Sequence, residues 1–182
     1  MAVIKKKRWY RIIAPNSFRN IELGETPSLE PGTLVGKNTA VNAMTIMNDP
    51  RKQHLRLTFK IKEVKADQAH TQLIKYEVVS SQIKRLSRKG SEKIEDSFTV
   101  KSKNGDVRVK PVFTTKSKIN NSLKTNLRRA IQATIAEDIK EKTYDDFVLD
   151  VLNTKTHRLV KDSVKKIYPI SSCEFKKIIL EA

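Results

Sequence analysis

The sequence predicts an α+β protein: an antiparallel β-meander that curls into a barrel-like body, followed by C-terminal helices and a final strand. Three observations carry that reading. Leu55, Leu57, Phe59 and Ile61 alternate with Arg56, Thr58, Lys60 and Lys62, so a period of two puts apolar groups on one face and mostly cations on the other. Asn104-Gly105 lies between two β-rich runs, and both residues tolerate the positive φ of a tight hairpin turn. From about Ser117 the period lengthens to near four, with Ile119, Leu123, Leu127, Ile131, Ile135 and Ile139 forming one ridge of a long helix.

The elements follow in order. Residues 9–13 are aromatic and β-branched, which suits a strand, and Ala14-Pro15 ends it because proline donates no ladder hydrogen bond. Residues 24–36, holding Pro27, Pro31 and Gly32, read as loop. A strand through Ala40 and Val41 leads to a turn at Asn48-Asp49-Pro50; the alternating strand comes next, then a polar turn near residues 67–70 and a strand over 73–79. Ser80 and Ser81 offer N-caps for one or two helical turns over 82–89, ended by Gly90.

The ridge from Ile119 to Ile139 drifts by roughly 40° per step on an ideal helix, because four residues overshoot a 3.6-residue turn. The helix therefore bends, breaks, or meets different partners at its two ends. Thr143-x-x-Asp146 resembles a capping box and opens a short helix whose Tyr144, Phe147, Val148 and Val151 share a side. A helix over 155–167 follows, with Leu159, Val160, Val164 and Ile167 as its apolar stripe. Lys155, Arg158, Lys161, Lys165 and Lys166 occupy most of the rest. Pro169 pushes Tyr168 out of helical conformation, and residues 170–180 return as a strand. Residues 1–8 read as a flexible basic tip. Residues 9–182 read as a single integrated domain, β-rich over 9–116, helical over 117–168 and closed by the last strand.

The 182 residues include 37 Lys and Arg against 20 Asp and Glu, a net charge of +17. Such a chain repels itself and gains by meeting a polyanion, and nucleic acid is the default partner because bound phosphates release their counterions. No apolar run approaches the roughly 18–20 residues needed to span a bilayer, and no apolar stretch follows the basic start as in a signal peptide, so a membrane partner is not expected and a cytoplasmic location is. Two short acidic stretches, Glu22, Glu25 and Glu30, then Asp145, Asp146 and Asp150, mark surface where RNA is absent or a basic protein sits.

Enzymatic patterns are missing. Five glycines are too scattered for a phosphate-cradling loop, no serine lies in a nucleophile-elbow pattern, and His54, His70, His157 and Cys173 lack metal-site spacing, so neither a cofactor nor a small-molecule substrate is implied. Asp145-Asp146 suits a helix first turn better than a metal. Cys173, among Ile170, Phe175 and Ile178, reads as a buried inert thiol, and His157 beside Arg158 as surface. The candidate nucleic-acid contacts are the basic clusters: Lys5, Lys6, Lys7 and Arg8; Arg56, Lys60 and Lys62; Lys84, Arg85, Arg88 and Lys89; Lys124 and Arg128; and Lys155, Arg158, Lys161 and Lys165. Any one of these faces is most simply a solvated surface. Binding accounts for all of them together. Aromatics are few, which favours recognition of backbone and shape over base stacking. Two competing classes are a free-standing RNA- or DNA-binding regulator and a metal-dependent nuclease using scattered carboxylates.

Lys7-Arg8-Trp9-Tyr10, Ala14-Pro15 and Gly24-Glu25-Thr26 resemble the opening of the archaeal and eukaryotic small-subunit ribosomal protein family eS-one, in older usage S-three-a. Asn48-Asp49, Val112-Phe113-Thr114, Lys161-Asp162 and Ile167-Tyr168-Pro169-Ile170 continue the likeness in the family's order across nearly the whole chain, in its compact archaeal form. The stretch Lys118-Ile119-Asn120-Asn121-Ser122-Leu123 is less basic than in relatives. The resemblance implies a structural, non-catalytic constituent of the small ribosomal subunit that takes part in translation. It implies a place on the platform near the messenger RNA exit, among small-subunit ribosomal RNA and neighbouring platform proteins, with messenger RNA as a further contact.

Overall fold

A computed structural model describes residues 7–87 and 89–181. Of the expected RNA contacts, Lys5, Lys6 and Arg88 lie outside the described residues, as does most of the tip expected to be flexible. The described residues form an α+β structure of nine strands, in open sheet, and five α-helices. They group into two compact units, one running to Lys75 and the other starting at Tyr76.

In the first unit β1 (Arg8–Ile13) pairs antiparallel with β2 (Glu22–Ser28), and β3 (Asn38–Asn42) pairs antiparallel with β4 (Leu55–Lys65). β4 turns back into β5 (Gln68–Val78), whose first residues pair parallel with β1, Arg11 opposite Gln68 through Ile13 opposite His70. The meander is thus not purely antiparallel. Nor does it curl into a barrel: pairing ends at an open edge in each unit, β2 here and β6 (Lys93–Glu95) in the second. The tract expected as loop over 24–36 holds most of β2, because an edge strand needs no ladder donor from Pro27 and tolerates the shift in register at Ile12 and Ile13. The short helix α1 (Ala43–Met47), capped by the Asn42 side chain accepting from the Met44 N–H at 2.9 Å, precedes the Asn48-Asp49-Pro50 turn.

Alternation on β4 places Leu55, Leu57, Phe59 and Ile61 inside. Tyr10, Ile12, Leu34, Ile61 and Ala69 form one cluster, with Leu23 and Val64 against it, and Phe18 meets Phe59 edge to face at 5.8 Å. Each large side chain so buried stabilises the unit by about 1.5–3 kcal/mol relative to exposure.

In the second unit, α2 (Ser80–Leu86) is followed by β6, then the hairpin of β7 (Phe98–Ser102) and β8 (Gly105–Thr115). The hairpin stands where Asn104-Gly105 predicted it, with a different turn. Ser102 faces Gly105, so the loop residues are Lys103 and Asn104, and the positive φ, 139°, falls on Gly105 alone. β8 pairs along its whole length with β9 (Ile170–Glu181), which also matches the expected final strand. Pro111 sits within β8 where the register slips, which accommodates its missing N–H.

The helices α3 (Asn121–Glu141), α4 (Tyr144–Leu152) and α5 (Lys155–Val164) complete this unit. α3 runs unbroken over its 21 residues, with Leu127, Ile131, Ile135 and Ile139 buried; Ile119 lies before its first turn. It packs on β7 and α5, so the drifting ridge meets different partners along its length. At α4 the N-cap half of the expected capping box forms: Thr143 accepts from the Asp146 N–H at 3.3 Å, while the Asp146 carboxylate accepts from the Thr143 hydroxyl at 2.6 Å. Phe147 packs edge to face on Phe175 of β9 at 6.1 Å.

α5 departs from its expected stripe. It ends at Val164, and its buried side chains are Thr156, Val160 and Val164, whereas Leu159 is 50% and Ile167 41% exposed. A helix this short buries a row spaced by four, and Thr156 takes the place assigned to Leu159.

Two outcomes follow for stability. Val164→Ala costs about 1–3 kcal/mol by opening a cavity in a packed core, while Leu159→Ala stays within about 0.5 kcal/mol; chemical denaturation of both variants checks the contrast. Ala66, between β4 and β5, holds φ at +52°. That conformation is adverse for a residue with a Cβ, so Ala66→Gly raises stability by about 0.5–1 kcal/mol, measured as a later midpoint in the same titration.

Candidate nucleic-acid interface

The sheet and helices present the expected cations outward on separate faces. On β4, Arg56, Lys60 and Lys62 are exposed, and opposite the first two on β3 stand Asn42 and Asn38, not carboxylates. These lysines and this arginine make no ion pair among the described residues. At the start of β1, Lys7 and Arg8 are exposed beside Trp9, which is 62% exposed. Lys84, Arg85 and Lys89 line the end of α2 and the turn after it. On α3 Arg128 is exposed, but Lys124 is half-buried and tied to Glu92 at 2.6 Å.

α5 carries the most one-sided face. Val160 and Val164 point inward, while Arg158, Lys161 and Lys165 are exposed without an ion pair among the described residues. Lys155 differs, since it reaches Asp150 at 3.2 Å. Arg11 and Lys116 are exposed cations outside the expected clusters. Lys116 has no adjacent cation in sequence to mark it, and only the return of β9 brings it close to serines of the last strand.

Of the second acidic stretch, Asp146 is exposed at the start of α4, whereas Asp150 is engaged within the helices. Lys142 bonds Asp138 at 2.5 Å and Asp150 at 2.7 Å, so one ammonium joins the end of α3 to α4, and Thr156 of α5 donates to the same Asp138 carboxylate at 3.2 Å. Burial pushes the Asp150 carboxyl up, but hydrogen bonds from Lys142 and Lys155 and their charge outweigh it and leave the group below its ordinary value. Lys142 is held above its ordinary value: burial opposes its charge, and the two carboxylates more than restore it. In the first stretch Glu25 faces Arg11 at 3.8 Å.

The two groups weighed for chemistry are enclosed. Cys173 is buried and its thiol is pushed up to about 12, by burial first and then by the neighbouring Glu174 charge, which makes it inert. His157, expected at the surface, is instead packed edge-on to Phe175 at 5.1 Å, with Nε2 3.5 Å from the Glu174 carboxylate. Its place beside Arg158 suggested exposure, but the short helix turns it toward β9. Among the described residues no group of three or more His, Cys, Asp or Glu is placed to hold a metal ion.

Cationic faces over a well-packed interior, with no assembled catalytic group among the described residues, suit a protein that works by shape and charge. The chain belongs to the Ribosomal S3Ae family, whose model matches residues 2–182. It is 33% identical to the small ribosomal subunit protein eS1 of Halorubrum lacusprofundi over 98% of this chain and 83% of that protein. It is likewise 33% identical to the eS1 protein of Nanoarchaeum equitans, over 97% of this chain and 90% of that one. With the eS1 protein of Saccharolobus islandicus the identity is 32%, over 95% and 84%. Membership makes the chain a structural ribosomal protein and not an enzyme.

Asp150→Asn removes the negative charge that Lys142 and Lys155 face in a partly buried site and costs about 1–3 kcal/mol at neutral pH. Because the folded carboxyl lies below its ordinary value, its contribution is present above the unfolded pKa and is lost as pH falls through the folded one. The gap between wild type and variant therefore starts to narrow as pH falls below about 4, and denaturation series at pH 7 and pH 3 measure it.

Proposed function

We propose that this chain is a structural constituent of the small ribosomal subunit that holds ribosomal RNA through phosphate contacts of its separate basic faces, on the platform near the messenger RNA exit. The observation that carries this reading is the set of outward cations without acidic partners among the described residues: Arg56, Lys60 and Lys62 on β4, and Arg158, Lys161 and Lys165 on α5 and its C-cap. Unpaired cations on a protein of +17 lower their mutual repulsion by meeting phosphates. Their spread over strands, helix and N-terminal edge suits a protein wrapped by several RNA segments. The relatives' name, small ribosomal subunit protein, supports the particle. Likeness to the family along the whole chain supports the platform, with neighbouring platform proteins and the emerging messenger as further contacts.

Sedimentation tests the assignment to a particle: the chain stays with small subunits through a high-salt gradient, whereas release into the top fractions would indicate a free-standing regulator. The α5 face is tested by Arg158, Lys161 and Lys165 all changed to Gln. Melting stays nearly constant, since exposed substitutions fall within about 0.5 kcal/mol each. Affinity for small-subunit ribosomal RNA drops, and the slope of log K against log salt flattens by about 0.7–0.9 for each phosphate no longer neutralised. Equal affinity at every salt concentration would make that face plain solvated surface.

A further inference from the structure

A pocket of about 420 Å³ opens in the second unit between the end of α2 and the far ends of β8 and β9, lined by Arg85, Lys89 and Lys116 and by a row of hydroxyl groups. Its size falls in the range of about 300–1,000 Å³ usual for ligand sites. No carboxylate lines it, and the three cations make no ion pair among the described residues.

The floor is built by the strand register. Thr114 pairs with Ser172 and Thr115 with Ile170, so Ser171 is the extra residue of a bulge, a device that re-aims a side chain. The Thr114 and Ser172 hydroxyls lie 2.6 Å apart. Thr114 is 2% exposed and has no other hydrogen-bond partner for its hydroxyl among the described residues, which favours Thr114 as the donor to Ser172. The Ser172 proton is then left to point outward. The Ser171 hydroxyl is also uncommitted and exposed. Thr115, fully buried, is used internally: it donates to the Ser117 carbonyl at 2.6 Å. The pocket thus offers two hydroxyl donors and three cations, which are donors only. A ligand that suits it is negatively charged and rich in acceptors, and a phosphate ester is both.

We propose that this pocket is a phosphate site that seats one backbone phosphodiester of the bound RNA, with Ser171 and Ser172 donating to its oxygens and Arg85, Lys89 and Lys116 supplying the charge. The proposal rests on the RNA-binding reading above and gives one of its faces a defined seat. A free nucleotide has the same chemistry, so the experiment separates the two sources.

The full chain is titrated with a transcript of small-subunit ribosomal RNA, alongside the double variant Arg85→Gln, Lys116→Gln. Both changed side chains are exposed, so melting is unchanged. The variant is expected to bind about tenfold more weakly, with a salt slope reduced by about 0.7 or more. In the wild type, bound RNA is expected to shield Lys116 from an amine-acylating reagent, read by mass spectrometry. This second measurement needs no variant. If wild type binds RNA, the variant binds equally at all salts and Lys116 is acylated as fast with RNA as without, the pocket proposal is wrong and the general RNA reading stands. If adenosine monophosphate at millimolar concentration saturates the Ser171 and Ser172 amide resonances and RNA fails to displace it, the seat belongs to a free nucleotide and the backbone assignment is overturned. If wild type binds no RNA, both readings fall.

Discussion

Ten residue pairs join β8 to β9, from Asp106 opposite Glu181 to Thr115 opposite Ile170, and the second unit is organised by that ladder. On its inner face Val107, Val109, Phe113, Cys173, Phe175 and Ile178 form the surface on which the helices come to rest. α4 is placed by Phe147 against Phe175 and by the Tyr144 hydroxyl donating to the Ile178 carbonyl at 3.3 Å. α5 is placed by packing on β9 and α3. A slip of one residue would exchange the inner and outer faces of β9, bringing Glu174 and Lys176 under the helices. The two bulges absorb what the pattern cannot, the missing donor of Pro111 and the turn away at Ser171.

Charge is divided between two tasks. Some cations are tied to carboxylates and hold elements together: Lys142 between Asp138 and Asp150, Lys124 on Glu92, Lys177 on Glu77 at 3.0 Å. Most of these lysines are at least two-thirds covered, where an unpaired charge would be costly. Others, on β4, α2 and α5, stand clear of acid and repel one another. The first group holds the fold together, and the second is the one to which the proposed binding falls. Sequence position does not separate them, as Lys155, paired, and Arg158, unpaired, are neighbours on one helix.

Long periodic segments were legible. The alternation of β4, the ridge of α3, the Thr143 cap and the closing strand all follow from spacing, because each is a local pattern repeated enough times to outweigh chance. What escaped was set by tertiary context. β2 was hidden by its proline and glycine, which an edge position tolerates. Leu159 was assigned to the core on hydrophobicity, yet the buried row of α5 starts at Thr156, whose hydroxyl is satisfied by Asp138 of α3. The pocket could not be read, since Lys116 and Ser172 are 56 positions apart and meet only through the β8 and β9 register.

Trp9 has an optical consequence. It is the sole tryptophan and already 62% in contact with solvent in the native fold. Indole emission depends on the polarity around the ring, and here the ring sits in a water-like setting before any unfolding begins. The native protein therefore fluoresces much as a denatured one does, and melting followed by this emission underreports a loss of structure that far-ultraviolet circular dichroism sees in full.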